Sequence, residues 1–150
     1  MSVIERTSVI PVDVHRLFEF HCVVGNVRIV TPGIIPVTIL DAPEYLAAGD
    51  SFTISVGLGR FALPWDVRVA EIIVDRLLID EQHGRGPYAQ WRHEHRFMPS
   101  GTQSLLTDRV EYEMPFGIAG RILDLLLFRA LHHLLFWYRH RRTIHHFSRA

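Results

Sequence analysis

Between residues 34 and 114 the chain alternates apolar and polar residues, interrupted at short intervals by Gly, Pro and Asp. This period of two is typical of half-buried β-strands, and the interruptions are typical of turns. The predicted strands cover residues 2–10, 35–40, 52–58, 63–69, 77–83, 88–98 and 105–114. Neighbouring strands with such short connections form hairpins, so the pattern predicts an antiparallel sheet.

The rest of the chain has the apolar period of helices. Pro11 and Asp13 suit the start of a short helix that ends near Gly25, and a second helical turn runs to Val30. Residues 118–146 predict a long C-terminal helix. Its apolar face, expected to lie on the concave side of the sheet, is formed by Leu123, Leu126, Leu127, Ala130, Leu131, Leu134, Trp137 and Tyr138. The residues expected on the opposite face are Arg121, Arg129, His132, Arg139 and His140.

Two of the predicted strands turn polar side chains toward this helix. One side of the first strand carries Trp91, His93, His95 and Phe97, and the other side carries Arg92, Glu94 and Arg96. The charged side belongs in water, so both imidazoles face inward. On the next strand the same reasoning turns Asp108 and Tyr112 inward. Because a buried carboxylate is costly unless it is paired, an inward imidazole is its expected partner.

This inward group has three interpretations. A His-x-His pair on one strand can present two imidazoles to a metal ion, but neither the glutamate of a cupin-like strand nor a Cys or Glu at ligand spacing completes the set. No metal is therefore expected. Acid–base catalysis would use His93 or His95 as the base, with Asp108 orienting it. Alternatively the group orients a largely apolar ligand, or satisfies only itself.

Composition narrows the classes of function. The length of 150 residues predicts one domain, 1–150, and the formal net charge of zero argues against nucleic-acid binding. All sixteen basic residues are arginine, which excludes lysine nucleophiles. The turn at Gly57 resembles a dinucleotide fingerprint, but a predicted strand follows it, so no nucleotide cofactor is expected. With a single cysteine, Cys22, no signal peptide and no membrane-spanning segment, the sequence predicts a cytoplasmic protein.

Residues 80–117 carry a resemblance to a known superfamily. The matching runs are Asp80-Glu81-Gln82, Gly86-Pro87-Tyr88, Trp91-Arg92-His93-x-His95-x-Phe97 and Asp108-x-Val110-x-Tyr112-x-x-Pro115-Phe116-Gly117. They resemble the SRPBCC superfamily of START and Bet v 1-like proteins, which includes polyketide cyclase-like proteins and an uncharacterised bacterial branch that also occurs fused to epimerase-like domains. The resemblance covers essentially the whole chain. It implies an α+β helix-grip fold of order β-α-α-β6-α, in which a curved antiparallel sheet wraps around the long C-terminal helix.

The leading hypothesis is a protein that binds a hydrophobic or amphipathic small molecule (lipid-, polyketide- or aromatic-like) in a cavity of at least ~300 Å³ between sheet and helix. The predicted ligand-binding residues are Trp65, Gln82, Trp91, His93, His95, Asp108, Tyr112, Leu123, Leu127 and Leu134. The alternative is a cyclase- or dehydratase-type enzyme without metal or nucleotide, whose catalytic candidates are His93, His95 and Asp108. A third hypothesis is an interaction module whose cavity is filled by side chains.

The last helix allows two further kinds of partner, a membrane surface or a second copy of the chain. Leu125, Phe128 and Phe136 lie nearer its polar side, and the end of the helix, over 139–142, is rich in arginine. If exposed, these residues suit a peripheral membrane contact or a homodimer.

Overall fold

The computed structural model describes residues 1–149. The strands are β1 (Ser2–Ile10), β2 (Val37–Asp41), β3 (Ser51–Val56), β4 (Leu63–Ile73), β5 (Leu77–Gln82), β6 (Gln90–Ser100) and β7 (Gln103–Glu113). The helices are α1 (Val14–Cys22), α2 (Val27–Val30), α3 (Gly117–Leu123) and α4 (Arg129–Ser148), with a π-helical turn (Asp124–Phe128) between the last two. Among residues 1–149, no helix is both long and apolar enough to cross a membrane.

All seven strands form one antiparallel sheet, in the order β1-β7-β6-β5-β4-β3-β2. Strands β2 to β7 therefore follow one another as a meander, and β1 pairs with β7 at the far end. The sheet together with the long C-terminal helix confirms the predicted α+β helix-grip fold. Helix α1 also begins where the sequence predicts, because the side chain of Asp13 accepts a hydrogen bond from the backbone N–H of Arg16.

The C-terminal helix runs over 117–148, but its predicted apolar face is wrong. The π-helical turn takes in extra backbone, which rotates all later residues by about 100° relative to an uninterrupted α-helix. The side chains buried by the helix are Asp124, His132, Phe136, His140, Thr143 and Phe147. The predicted face is exposed at Leu123, Leu126, Leu127, Ala130, Leu131, Leu134 and Trp137. His132 and His140, expected in water, are instead 6% and 1% exposed.

Two apolar clusters fill the space between sheet and helices. The first surrounds α1 and includes Ile10, Leu17, Phe18, Leu78, Phe97, Leu106 and Phe147. The second lies under the first half of α4 and is formed by Ile4, Trp91, Val110, Tyr112 and Phe136, with Trp65 and Tyr88 packed against it. A group of ionisable side chains lies between the two clusters, and these side chains form the candidate site.

Candidate functional site

Five ionisable side chains meet beneath the C-terminal helix, and we call them the His–Asp cluster. They are Asp80 on β5, His93 and His95 on β6, Asp108 on β7 and His140 on α4. Strand register brings the first four together, because Asp80 pairs with His93 across one strand boundary and His95 pairs with Asp108 across the next. His93, His95 and Asp108 are all at most 5% exposed. The predicted inward orientation of these three side chains is therefore confirmed.

Asp108 contacts three imidazoles. Its Oδ1 atom lies 2.7 Å from His95 Nδ1 and 3.3 Å from His93 Nε2, but neither contact is aligned as a hydrogen bond. Its Oδ2 atom accepts a hydrogen bond of 3.0 Å from His140 Nε2. The other ring nitrogen of His140, Nδ1, lies 2.8 Å from Ser8 Oγ on β1. The carboxylate is thus paired, as a buried charge requires, and the helix is linked to the sheet through it.

Asp80 approaches the same two imidazoles from the opposite side. Its Oδ2 atom lies 3.5 Å from His95 Nε2 and 3.7 Å from His93 Nδ1. Both separations are at or beyond the limit of a hydrogen bond, and no hydrogen bond within residues 1–149 includes the Asp80 carboxylate. Three polar atoms therefore face one another at the inner end of the site without bonding.

The charges of the cluster shift the pKa values of its members. Burial alone would lower the pKa of His95, but the neighbouring charges of Asp108 and Asp80 outweigh burial and raise it to about 9. Burial would raise the pKa of Asp108, but the three imidazoles hold it well below its usual value. Burial, assisted by the charge of His95, lowers the pKa of His21 to about 3. At neutral pH the cluster thus holds an imidazolium between two carboxylates.

A partly open cavity of about 90 Å³ borders the His–Asp cluster and α2. Its apolar wall includes Phe20, Val24, Val30, Leu46, Ile54 and Leu78. Its polar wall is formed by His21, Asn26, Asp80, His95 and Arg139. The guanidinium of Arg139 lies over the ring of Phe136, 5.3 Å from its centroid, which holds the cation at the edge of the cavity. The cavity is thus apolar on most sides and charged at its inner end.

The predicted ligand-binding residues are distributed differently from the prediction. Among them, His95 is the one that borders the cavity. Trp65, Trp91 and Tyr112 pack instead with Tyr88 and His132, at ring-centroid distances from 4.4 Å to 5.9 Å for the closest pairs. These aromatic rings fill the space that was expected to hold the ligand.

The other predicted contacts also lie outside the cavity. Gln82 donates a hydrogen bond of 2.7 Å to the backbone carbonyl of Tyr88, so it fixes the loop between β5 and β6. Leu123, Leu127 and Leu134 lie on the outer face of the C-terminal helix, 48%, 49% and 59% exposed. Their predicted position between helix and sheet is wrong. Leu123 is already exposed before the π-helical turn, and the turn rotates Leu134 away from the sheet.

Sequence reasoning missed His21 and Asn26 of the cavity wall, and also Asp80, Arg139 and His140. Asp80 follows Leu78 and Ile79, which are both buried, so the alternation of β5 does not reveal which way it points. The available signal was its register with His93 on the next strand. The helical pattern predicts Arg139 and His140 on the solvent face, and no pattern in the sequence indicates the π-helical turn that brings them to the site.

Comparisons with known proteins agree with this architecture. A family model described as polyketide cyclase/dehydrase and lipid transport matches residues 10–135. A nucleoside-diphosphate sugar epimerase from Corynebacterium glutamicum is 21% identical, with a TM-score of 0.65, over 95% of this chain and 28% of that chain. This chain therefore spans less than a third of the epimerase. No curated protein matches the chain.

Two further solved structures are similar over nearly their whole length. Protein CV1439 from Chromobacterium violaceum is 9% identical, with a TM-score of 0.73, over 97% of this chain and 96% of that chain. Ara h 8.0201 is 10% identical, with a TM-score of 0.63, over 94% of this chain and 97% of that chain. Similarity at identities this low shows the fold alone.

Proposed function

Because the chain belongs to the polyketide cyclase/dehydrase and lipid transport family, we propose that it binds a small amphipathic molecule in the cavity beside Asp80 and His95. Family membership supports a fold that binds hydrophobic ligands, in keeping with the SRPBCC resemblance. The observation that carries the proposal is the division of the cavity wall, which is apolar except for His21, Asn26 and the charged group of Asp80, His95 and Arg139. Such a wall matches a ligand with an apolar body and one polar end.

The size of the cavity limits the ligand. Its volume of about 90 Å³ is below the ~300 Å³ expected from the sequence, because Phe136, His140 and the aromatic rings near Trp91 occupy the space under the helix. A volume of this size corresponds to about three water molecules. We propose that the polar end of a longer molecule enters it, with the apolar remainder leaving along α2.

The polar end of the ligand follows from the groups that would meet it. Arg139 and protonated His95 are hydrogen-bond donors, and Asp80 is an acceptor. A carbonyl oxygen with a neighbouring hydroxyl satisfies both kinds of group. We therefore propose a hydroxy-ketone or similar oxygenated chain as the class of ligand.

Binding is tested by NMR with a series of unbranched 2-alkanones as probes. We expect amide shifts in α2 and around Asp80 and His95 that strengthen with chain length. The substitution Leu46→Phe fills the cavity and should abolish these shifts, whereas the matched control Leu126→Phe, on the exposed helix face, should leave them unchanged. Equal shifts in both variants, or shifts around Trp91 instead, would contradict the proposal.

Base catalysis by the His–Asp pair is not favoured by the electrostatics. A base must be neutral, but the pKa of His95, raised to about 9, keeps this residue protonated at neutral pH. His93, whose pKa is lowered by burial and by the charge of His95, is not among the residues that line the cavity. The cavity therefore offers a ligand a proton donor and an anion, which favours binding.

The outer face of the C-terminal helix suggests a second activity, namely contact with a membrane surface. We call this face the leucine face, and it consists of Ile118, Ile122, Leu123, Leu125, Leu126, Leu127, Leu131, Leu134 and Trp137, which are 44% to 77% exposed. An exposed apolar surface of this extent marks a contact site. We propose that it enters the headgroup region of a membrane.

The charge around the leucine face favours an anionic membrane. Exposed arginines occur at 121, 129, 141 and 142, and Asp124, the one acidic residue in 117–149, is buried. Anionic lipid headgroups complement this charge, whereas a second copy of the chain would bring the same arginines together. The cytoplasmic location predicted from the sequence stays a prediction.

Co-sedimentation with phospholipid vesicles tests the membrane contact. We expect binding to phosphatidylglycerol vesicles and weak binding to phosphatidylcholine vesicles. Leu126→Glu should reduce binding, and the control Leu40→Glu, at an exposed leucine of β2, should not. Absence of vesicle binding, together with a dimer in solution that Leu126→Glu dissociates, would identify a homodimer interface instead.

A further inference from the structure

The inner end of the cavity presents three metal-ligating atoms to one another. They are Asp80 Oδ2, His93 Nδ1 and His95 Nε2, and all lie within 4.8 Å of one another. The carboxylate is 3.5 Å from one nitrogen and 3.7 Å from the other, and it accepts no hydrogen bond from residues 1–149. Two imidazole nitrogens and a carboxylate oxygen that face one another without bonding form a set of atoms that one cation can bind.

The separations fit a metal ion. Metal–nitrogen and metal–oxygen bonds of about 2.1 Å at tetrahedral angles place the ligand atoms about 3.4 Å apart. The observed 3.5 Å and 3.7 Å differ from this value by a few tenths of an ångström. The third separation, between the ring nitrogens of His93 and His95, is within 4.8 Å.

We propose that Asp80, His93 and His95 bind one divalent transition-metal ion, such as Zn²⁺ or Fe²⁺. Two imidazole nitrogens and one carboxylate oxygen suit these ions, whereas Ca²⁺ and Mg²⁺ prefer oxygen ligands alone. Three protein ligands leave further coordination positions open, as in metal sites that bind an exchangeable water or ligand. Since Asp80 and His95 border the cavity, those open positions face it.

Asp108 would act as a positioning residue for this site. Its Oδ1 atom lies next to His95 Nδ1 and His93 Nε2, the two ring nitrogens that point away from Asp80. A proton on each of these nitrogens leaves the lone pairs of the other two directed toward the ion. A carboxylate behind a metal-binding histidine commonly has this role.

The rest of the cluster is consistent with a bound ion. The hydrogen bond from His140 holds Asp108 in place, and Ser8 contacts the far side of the His140 ring. With both ligating imidazoles neutral, the charges of Asp80 and Asp108 balance the two charges of the ion. The buried cluster then carries no net charge, which burial favours. Binding of the ion displaces the proton of His95, so the metal-bound protein and the metal-free protein with protonated His95 described above are alternative states of one site.

Cobalt titration tests this inference. Protein is treated with chelator, dialysed and titrated with Co²⁺, whose visible absorption reports the ligand set. We expect one ion per chain. Asp80→Asn should weaken binding at least tenfold, and Asp108→Asn should weaken it about 10- to 100-fold while leaving the ligands in place. The matched control is His145→Gln, at an exposed histidine of the histidine-rich helix end, which should have no effect.

Paramagnetic NMR of the unaltered chain makes the test independent of whether the variants fold. Bound Co²⁺ should shift or broaden signals of β5 and β6, around Asp80 and His93. Signals affected mainly around His145 and His146 would mean that surface histidines bind the ion, and the inference would be wrong. Failure to take up one Co²⁺ per chain would refute it directly.

Discussion

Replacing Asp108 by asparagine tests whether the His–Asp cluster is a buried charge network. Asp108 is 4% exposed, lies 2.7 Å from His95 Nδ1 and accepts a hydrogen bond from His140. The neutral amide keeps the size of the side chain but leaves the buried imidazolium without its counter-charge. Breaking one partner of a buried pair costs about 3–5 kcal/mol. For a chain of this length that cost lowers Tm by about 6–20 °C.

The assay is urea denaturation of chelator-treated protein, with Glu111→Gln as the matched control. Glu111 lies on the same strand with its side chain 31% exposed, 2.5 Å from an Arg109 nitrogen. A surface pair of this kind contributes about 0.2–1 kcal/mol. We therefore expect a clear difference between the free energies of unfolding of the two variants. If Asp108→Asn cost no more than Glu111→Gln, the cluster would be solvated and the electrostatic reasoning would fail.

Three further predictions follow from the same structure. In chelator-treated protein, NMR titration should show that His95 keeps its proton until about pH 9. Because the pKa of His95 in the folded state is raised above 6.5, the protonated side chain contributes its full stabilisation below pH 6.5 and loses it as the pH rises through 9. Gly120→Ala places a Cβ atom 1.9 Å from a backbone carbonyl oxygen and should cost about 1–3 kcal/mol in urea denaturation, whereas Gly25→Ala, with open space around it, should be nearly neutral. Phe136→Ala should lower the free energy of unfolding by about 3–5 kcal/mol, and Leu134→Ala should lower it by less than about 0.5 kcal/mol. The reverse order would contradict the finding that Phe136 faces the sheet and Leu134 faces solvent.

The inward and outward faces of the strands could be predicted from the sequence, because they depend on the local alternation of apolar and charged residues. Charged residues at Arg92, Glu94 and Arg96 leave one orientation for β6, and that orientation buries His93 and His95. The same argument placed Asp108 inward on β7. Local pattern therefore established the sheet, its order along the chain and most of the buried polar cluster.

Features that depend on contacts between distant elements could not be predicted in this way. A helical wheel assumes a constant rotation per residue, so the π-helical turn at 124–128 reversed the assignments of Leu134 and His140. Asp80 joins the site through pairing between strands, and a search for metal ligands along β6 alone overlooks it. The volume of the cavity depends on how side chains such as Phe136 fill the space between helix and sheet. The alternation of apolar and polar residues does not predict that filling.

The central claim is that the apolar space of this protein lies between α2 and the strands β3 and β5, and not under the first half of the C-terminal helix. The most direct measurement is a crystal structure of the protein under xenon pressure, because xenon occupies apolar cavities. The account predicts a xenon atom in contact with Val30, Leu46 and Ile54, next to the His–Asp cluster. Xenon bound instead between Trp91 and the helix would contradict it.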